Sequence, residues 1–359
     1  MRACCRSSWR RCAAPPPRWT YRAFPPRAPP LPRRTAEVTR SIAITGGAGF
    51  VGLALAEALR LRGDSVTLLD LAPPDPQLFA RTELAGTRYL PCDILDEAPL
   101  RHSLAESGAD LVVHAAAITP NGETSQTQAL TIAEVNVTGA LRLLAAAQAT
   151  GVRDVVLLSS VSVYGALGGG AADLREDAPA TPDTLYGETK LAAEMLCARI
   201  APTLGLRLAT LRLGPLFGPW ESLREARPDL SPHAQLRQLS AHGTPVRLAH
   251  EMRGDWIYSR DAAAMIAAVT SRMEAAAGGC FNIAGGAPFA LTDWARAMGL
   301  PAPTLTPDTP DIAPRADPRR GPMSAAATAA LTGINGGRSM TEAVADETAW
   351  LASWQETRT

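Results

Sequence analysis

Short apolar runs alternate with longer amphipathic ones along the chain from Ser41. Ser41–Thr45 predicts a strand, and Phe50–Arg62 predicts a helix with Leu53, Ala56 and Leu59 on one face. Further strands are expected at Ser65–Leu69, Thr87–Cys92, Ala109–His114, Asp154–Ser159 and Leu206–Leu213, and long helices at Thr131–Thr150 and Asp183–Leu204. The strands are near-continuous Val and Leu rather than alternating. Such strands belong to a parallel sheet covered on both faces, so the pattern predicts an α/β, doubly wound fold. After Gly214 the pattern changes. Strands near Val246–Leu248 and Cys280–Ile283 alternate with helices at Pro232–His242, Arg260–Glu274 and Leu291–Met298. A Pro- and Asp-rich connector fills 301–322, and helices near Ala325–Leu331 and Met340–Trp354 close the chain. We therefore expect a sheet domain over 41–213 and a smaller α/β substrate lobe with closing helices over 214–359.

Composition changes this picture at the N-terminus. The 359 residues are 46% hydrophobic and 19% charged, enough to bury a sizeable core. Basic and acidic residues number 35 each, but residues 1–40 hold ten Arg and one acid, Glu37, so the rest carries 25 bases against 34 acids, a net of −9. An acidic body argues against nucleic-acid binding. The first 40 residues also hold eight Pro. We expect a disordered extension, translation starting near Val38 in one reading and a targeting segment in the other. No apolar run approaches the ~20 residues of a membrane span, so no membrane partner is expected. Cys4, Cys5 and Cys12 fall in the extension; Cys92, Cys197 and Cys280 sit in apolar patterns and read as buried thiols in a reducing, cytoplasmic setting. No His or Cys spacing suggests a metal site.

The chemistry starts at the first strand–helix junction. Thr45-Gly46-Gly47-Ala48-Gly49-Phe50-Val51-Gly52 places glycines at 46, 49 and 52 directly after a strand and at the opening of a helix. Glycine permits a tight turn and close approach of backbone N–H groups to a pyrophosphate, which the helix N-terminus also attracts. This points to a Rossmann-type dinucleotide site. Asp70 ends the second strand, where a carboxylate accepts hydrogen bonds from an adenosine ribose and repels a 2′-phosphate. Leu71-Ala72-Pro73 follows with no base, so the cofactor expected is NAD rather than NADP. Asp93 and Ile94 are placed to contact adenine, and Ala115 and Ala116 keep side chains small where the cofactor passes.

Tyr186 and Lys190 lie at i and i+4, on one helix face. A phenol is a weak base at its usual pKa near ~10; a nearby ammonium and an oxidised nicotinamide favour phenolate. Lys190 is the only lysine in the chain, the other 34 bases being Arg, which suggests a need that Arg does not meet. Ser159-Ser160-Val161-Ser162-Val163-Tyr164-Gly165 ends the fifth strand, where ligands bind in such sheets. Ser160 and Ser162 are candidates to touch the substrate oxygen; a turn capped by serines is the plainer reading.

Together these motifs resemble the extended short-chain dehydrogenase/reductase superfamily, in its NAD-dependent epimerase/dehydratase branch. The likeness runs from Ser41 onward and takes in Asn136-Val-Thr-Gly, Leu211-Arg-Leu-Gly-Pro-Leu-Phe-Gly-Pro219, Asp255-Trp-Ile-Tyr-Ser-Arg-Asp261 and Phe281-Asn-Ile-Ala-Gly-Gly286. It implies that Ser160, Tyr186 and Lys190 are catalytic, that Phe50 and Val51 cover the pyrophosphate, and that Asn136 supports the cofactor site. Three departures bear on substrate. Val161 and Ser162 stand where dehydratases carry Asp-Glu, Pro215 where nucleotide-sugar epimerases have Asn, and Gly254 where they have Arg, with Arg253 one residue earlier. Arg253 remains a candidate for a phosphate or a carboxylate. Trp220 and Trp256 line the cleft or pack in the core, and Asp261 caps a helix.

The expected activity is oxidation of a secondary alcohol on a small carbohydrate-like molecule, a sugar or sugar acid, by hydride transfer to NAD. A nucleotide-sugar epimerase of UDP-hexose type and a non-catalytic NAD-binding regulator are the alternatives. A homodimer packed through the helices Thr131–Thr150 and Asp183–Leu204 is expected from the resemblance.

Overall fold

A computed structural model describes residues 39–166, 173–222, 224, 226–243, 245–313 and 321–356. The Arg/Pro-rich segment up to residue 38, with Cys4, Cys5 and Cys12, lies outside them. The centre is a seven-stranded sheet of β1 (Ser41–Thr45), β2 (Ser65–Asp70), β3 (Arg88–Pro91), β4 (Leu111–His114), β5 (Asp154–Ser160), β6 (Arg207–Leu213) and β7 (Cys280–Ile283). Its order is β7-β6-β5-β4-β1-β2-β3, with every neighbouring pair parallel. The expected doubly wound α/β sheet is what forms. The strand order reverses at β1, between β2 and β4, and opens a crevice at the carboxyl ends of β1 and β4.

Both faces are apolar because both are covered. Ile42, Ile44, Val66 and Leu68 point to one side and Ala43 and Leu69 to the other, the two-residue period of a pleated strand. On the first side lie α1 (Phe50–Arg62) and a later helix, Ser259–Thr270. On the second lie α2 (Glu97–Ser107), α3 (Ala129–Thr150) and α4 (Leu185–Ile200). Sequence periodicity had not separated α2 from its surroundings. Only Leu100 and Leu104 are large apolar residues on its buried face, beside Ser103 and Ser107. Its local signals are an Asp96 side chain that accepts from Ala98 N and a left-handed Gly108 at the far end.

Two further boundaries move. The long central helix begins at Ala129, and Glu134–Thr138 within it forms a π-helical turn. By length and composition alone this helix could cross a membrane; here it packs between α2 and α4 over the sheet. The division at 213/214 also does not separate sheet from lobe, because β7 pairs with β6 and returns to the main sheet. The reason is the missing edge: β6 is buried along Leu208–Leu213, and its open side needs a partner strand. The lobe proper has its own core, in which Phe217, Leu236, Trp256, Tyr258, Leu291 and Trp294 pack together.

Trp220 and Trp256 are both core residues, 0% and 4% exposed. Trp220 holds a positive φ of 73° and donates its indole N–H to Glu57 at 2.7 Å. The same buried carboxylate takes two bonds from Arg260, at 3.0 and 2.7 Å. Arg260 also reaches Asp346 at 2.8 Å, which accepts from Tyr258 at 2.7 Å. One charged cluster thus clasps α1, the Ser259–Thr270 helix and the C-terminal helix Met340–Glu356. Asp261 does not cap its own helix; its carboxylate accepts from Arg338 N at 2.6 Å and pairs with the Arg338 guanidinium, tying down the approach to the last helix. Glu57→Ala leaves Arg260 half-buried without its main partner and is expected to lower unfolding stability by about 3 kcal/mol, read as a fall in the urea midpoint.

Candidate functional site

The crevice at β1 and β4 is built by backbones that nearly touch. Gly46 holds φ +66°, and a Cβ there would lie 2.6 Å from both Cα and N of Ala116. A Cβ on Gly52 would lie 2.5 Å from the Gly47 carbonyl, so helix α1 can start directly against the turn only with glycine there. Gly49 caps α1 with no side-chain hydrogen bond, and the first turn carries no acid. Its N–H groups are therefore open to an anion. These features fit the pyrophosphate of a dinucleotide. Phe50 is 4% exposed and packs into the sheet core with Val51 beside it.

Asp70 lies at the carboxyl end of β2, its carboxylate accepting from Ala48 N at 3.0 Å. Burial raises its pKa; the facing Arg224 and backbone N–H groups act the other way. Arg224 is the difference from the sequence reading, which saw no base near Asp70. It arrives from a loop 154 positions later, 3.4 Å from the carboxylate. Asp93 turns its side chain to Leu95 N at 2.8 Å, and Ile94 packs on the face of α3 at Gly139. Ala115 and Ala116 lie against the glycine turn at Gly46.

Ser160 ends β5, and its hydroxyl accepts from Ser162 N at 3.1 Å and meets the Ser162 hydroxyl at 3.2 Å. Thr184 caps α4 by accepting from Gly187 N. A Cβ on Gly187 would lie 2.5 Å from the Ser162 carbonyl, so the glycine after Tyr186 lets the helix close onto the serine turn. This sets the Tyr186 phenol near the Ser160 hydroxyl, which acts to lower its pKa. A second hydroxyl, Thr119 in the loop after β4, acts on the phenol in the same direction. Burial raises the Tyr186 pKa, and the Thr119 and Ser160 hydroxyls and the Arg227 charge oppose it. Arg227 thus supplies a positive charge at the phenol that the sequence did not place there.

Lys190 is 4% exposed, and desolvation lowers its ammonium to about 8, with Glu194 one turn further on acting against this. Glu194 is itself gripped by Arg212 through bonds of 3.1, 3.2 and 2.7 Å, which locks α4 to β6. His114, at the end of β4, bonds Thr45 at 2.7 Å. Burial, with the Lys190 charge, pushes its imidazole down to about 3, so the ring is neutral.

Asn136 sits in the π-helical turn and is 1% exposed. Its Oδ1 accepts from Ile118 N at 2.8 Å, and its Nδ2 donates to Ile118 O at 3.1 Å and Thr189 Oγ1 at 3.0 Å. Thr189 in turn donates to the Tyr186 carbonyl at 2.9 Å. Both ends of the carboxamide are thus engaged with protein. Asn136 holds the loop after β4 and the turn bearing Tyr186 in register.

Arg253 is exposed on a two-residue strand of the lobe and donates to the Pro288 carbonyl at 2.9 Å; among the described residues no contact joins it to Ser160, Ser162 or Tyr186. The residues that sequence reasoning missed are Thr119, Arg224 and Arg227. Thr119 follows β4 by five positions and carries no motif of its own; the two arginines come from a loop whose path only the fold decides.

Comparison with known proteins agrees with this geometry. The model of the NAD dependent epimerase/dehydratase family matches residues 42–284. UDP-glucose 4-epimerase 2 of Oryza sativa subsp. japonica is 32% identical over 171 residues, 46% of this chain and 41% of that protein. The chain spans about half the length of the first such relatives, 41%, 46% and 54%. A UDP-glucose-4-epimerase from Stenotrophomonas maltophila, solved with NAD and formylated UDP-arabinopyranose, superposes with a TM-score of 0.75 at 24% identity, covering 89% of this chain and 99% of that one. MoeE5 in complex with UDP-glucuronic acid and NAD gives 0.71 at 26% identity, covering 87% and 99%. With the glycine turn, Asp70 and the Ser160–Tyr186 pair all at the switch point of one sheet, the chain belongs to the NAD-dependent epimerase/dehydratase family, and its cofactor is NAD.

Proposed function

We propose that the protein oxidises a secondary alcohol of a sugar or sugar-acid-like substrate, with Tyr186 as base. The observation that carries this reading is the Tyr186 phenol set at the carboxyl end of the sheet with Ser160, Thr119 and the Arg227 charge each acting to lower its pKa. NAD, when bound, supplies the hydride acceptor. Tyr186 takes the proton of the substrate hydroxyl on its phenolic oxygen. Ser160 holds the substrate oxygen within reach, and its own orientation is set by the Ser162 N–H. Thr119 and Ser160 stabilise the phenolate by donating to it. Lys190, buried one turn beyond Tyr186, is suited to a ribose hydroxyl of the cofactor, and Asn136 and Thr189 fix the backbone that carries the base.

A second reading, epimerisation of a UDP-hexose, is favoured by relatives named as UDP-glucose 4-epimerases and by MoeE5 structures holding UDP-glucuronic acid or UDP-glucose. Pro215 and Gly254 at two substrate-gripping positions favour the simpler sugar. NADH accumulating with a free sugar or sugar acid supports the first; interconversion of UDP-hexoses without net NADH supports the second. A non-catalytic NAD-binding role has less support, because a pure binder has no need of the assembled hydroxyls.

The described cysteines, Cys92, Cys197 and Cys280, are free and buried, which supports a reducing compartment such as the cytoplasm. The proposed homodimer has an apolar surface available: Leu130 on α3 is 87% exposed, with Met195 and Leu196 on α4 at 38% and 41%.

Three outcomes follow from these readings. Tyr186→Phe is expected to lower turnover by about 10²–10⁴-fold with NAD still bound in a thermal-shift titration; an active variant removes Tyr186 from the mechanism. Thr119→Val removes a hydroxyl that acts to lower the Tyr186 pKa, so the basic rise of kcat/KM is expected to move to higher pH; an unmoved profile excludes Thr119 from tuning the base. Light scattering after size exclusion is expected to give twice the chain mass, and Leu130→Glu with Leu196→Glu to give the monomer.

A further inference from the structure

The segment after Trp220 crosses the cofactor crevice. Ala226 O accepts from Thr119 N at 2.9 Å, joining it to the loop after β4. Arg224 and Arg227 exchange backbone bonds of 3.2 and 2.9 Å, which makes a tight turn and sends the two guanidinium groups to different places. Glu221 anchors the base of the turn, accepting from Ser231 N and Oγ, both at 2.6 Å, and pairing with Arg227. Arg227 then lies over the Phe50 ring, 4.8 Å from its centroid. Arg224 is sent to the end of β2. It donates to the carbonyls of Ala48 at 3.2 Å, Ala72 at 3.1 Å and Pro73 at 3.4 Å, and stands 3.4 Å from the Asp70 carboxylate. The pair is only partly open, with side chains 20% and 15% exposed.

An acid at the end of β2 discriminates against NADP by repelling its 2′-phosphate, and an Arg nearby admits that phosphate. Here both are present on one spot. Resting on the assignment of this crevice to a dinucleotide, we infer that Arg224 is the residue that sets cofactor preference, and that with it on Asp70 the protein binds NADP as well as NAD. The guanidinium offsets the charge that excludes the phosphate, and a 2′-phosphate there would take over N–H groups that now donate to the Ala72 and Pro73 carbonyls. It also competes with the ribose hydroxyls of NAD for the Asp70 carboxylate. Arg224 therefore acts on the two dinucleotides in opposite directions, which no purely structural role of the turn would do.

Calorimetric titration of the wild-type chain, Arg224→Ala and Arg224→Lys with NAD and with NADP tests this by binding alone. The wild type is expected to bind NADP within about tenfold of NAD. Arg224→Ala is expected to weaken NADP at least tenfold while NAD binds equally or more tightly, and Arg224→Lys to keep NADP binding better than Arg224→Ala does. Wild-type protein that binds NAD but not NADP overturns the inference, as does an Arg224→Ala variant in which both dinucleotides weaken alike. Wild-type protein that binds neither overturns the assignment of the crevice itself.

Discussion

The close approach of two backbones at the sheet's switch point is the constraint on which the rest depends. Gly46 and Ala116 leave no space for a Cβ between them, and Gly52 seats the first turn of α1 directly on Gly47. That geometry aims the uncapped N-terminus of α1 into a crevice whose walls are the carboxyl ends of β1 and β4. Any side chain at these glycines pushes apart the two halves of the sheet that the cofactor must bridge.

Tyr186 and Ser160 are placed by the same device on the other side of the crevice. Gly187 allows α4 to close onto the Ser162 carbonyl, and Asn136 and Thr189 tie that helix back to the loop after β4. Buried polar groups are costly unless bonded, and here each bond also positions something. Asn136 spends its carboxamide on the backbone, and Glu194 is gripped by Arg212. Burial leaves its mark on the titrating groups: it raises Tyr186 and lowers Lys190 and His114. At the phenol, Thr119, Ser160 and the Arg227 guanidinium work against burial.

The lobe is less separate than its sequence pattern implies. β7 completes the main sheet, while Phe217, Trp256 and Trp294 make a core of their own and Trp220 joins the sheet core through Glu57. The segment between Trp220 and Ser231 links the two regions and carries Arg224 and Arg227 into the crevice. These two arginines thus come from a part of the chain with no regular periodicity, which Glu221, the Ala226–Thr119 backbone bond and the contacts of Arg224 with Ala48, Asp70 and Ala72 hold to the sheet.

What the sequence by itself determined was everything that is local or periodic. The Val- and Leu-rich strands specify a covered parallel sheet, the glycines at 46, 49 and 52 specify a tight turn at the opening of a helix, and the spacing of Tyr186 and Lys190 puts both on one helix face. Helix α2 was less legible because its buried face is half serine. What only the tertiary structure decided is which distant side chains meet. Thr119 comes near Tyr186, Asn136 bonds Ile118 and Thr189, Arg253 turns to Pro288, and Arg224 crosses 154 positions to Asp70. Periodicity reports the environment of a residue's own element. It holds no information on where an irregular loop returns, because that path is set by long-range packing and by the few hydrogen bonds that close it.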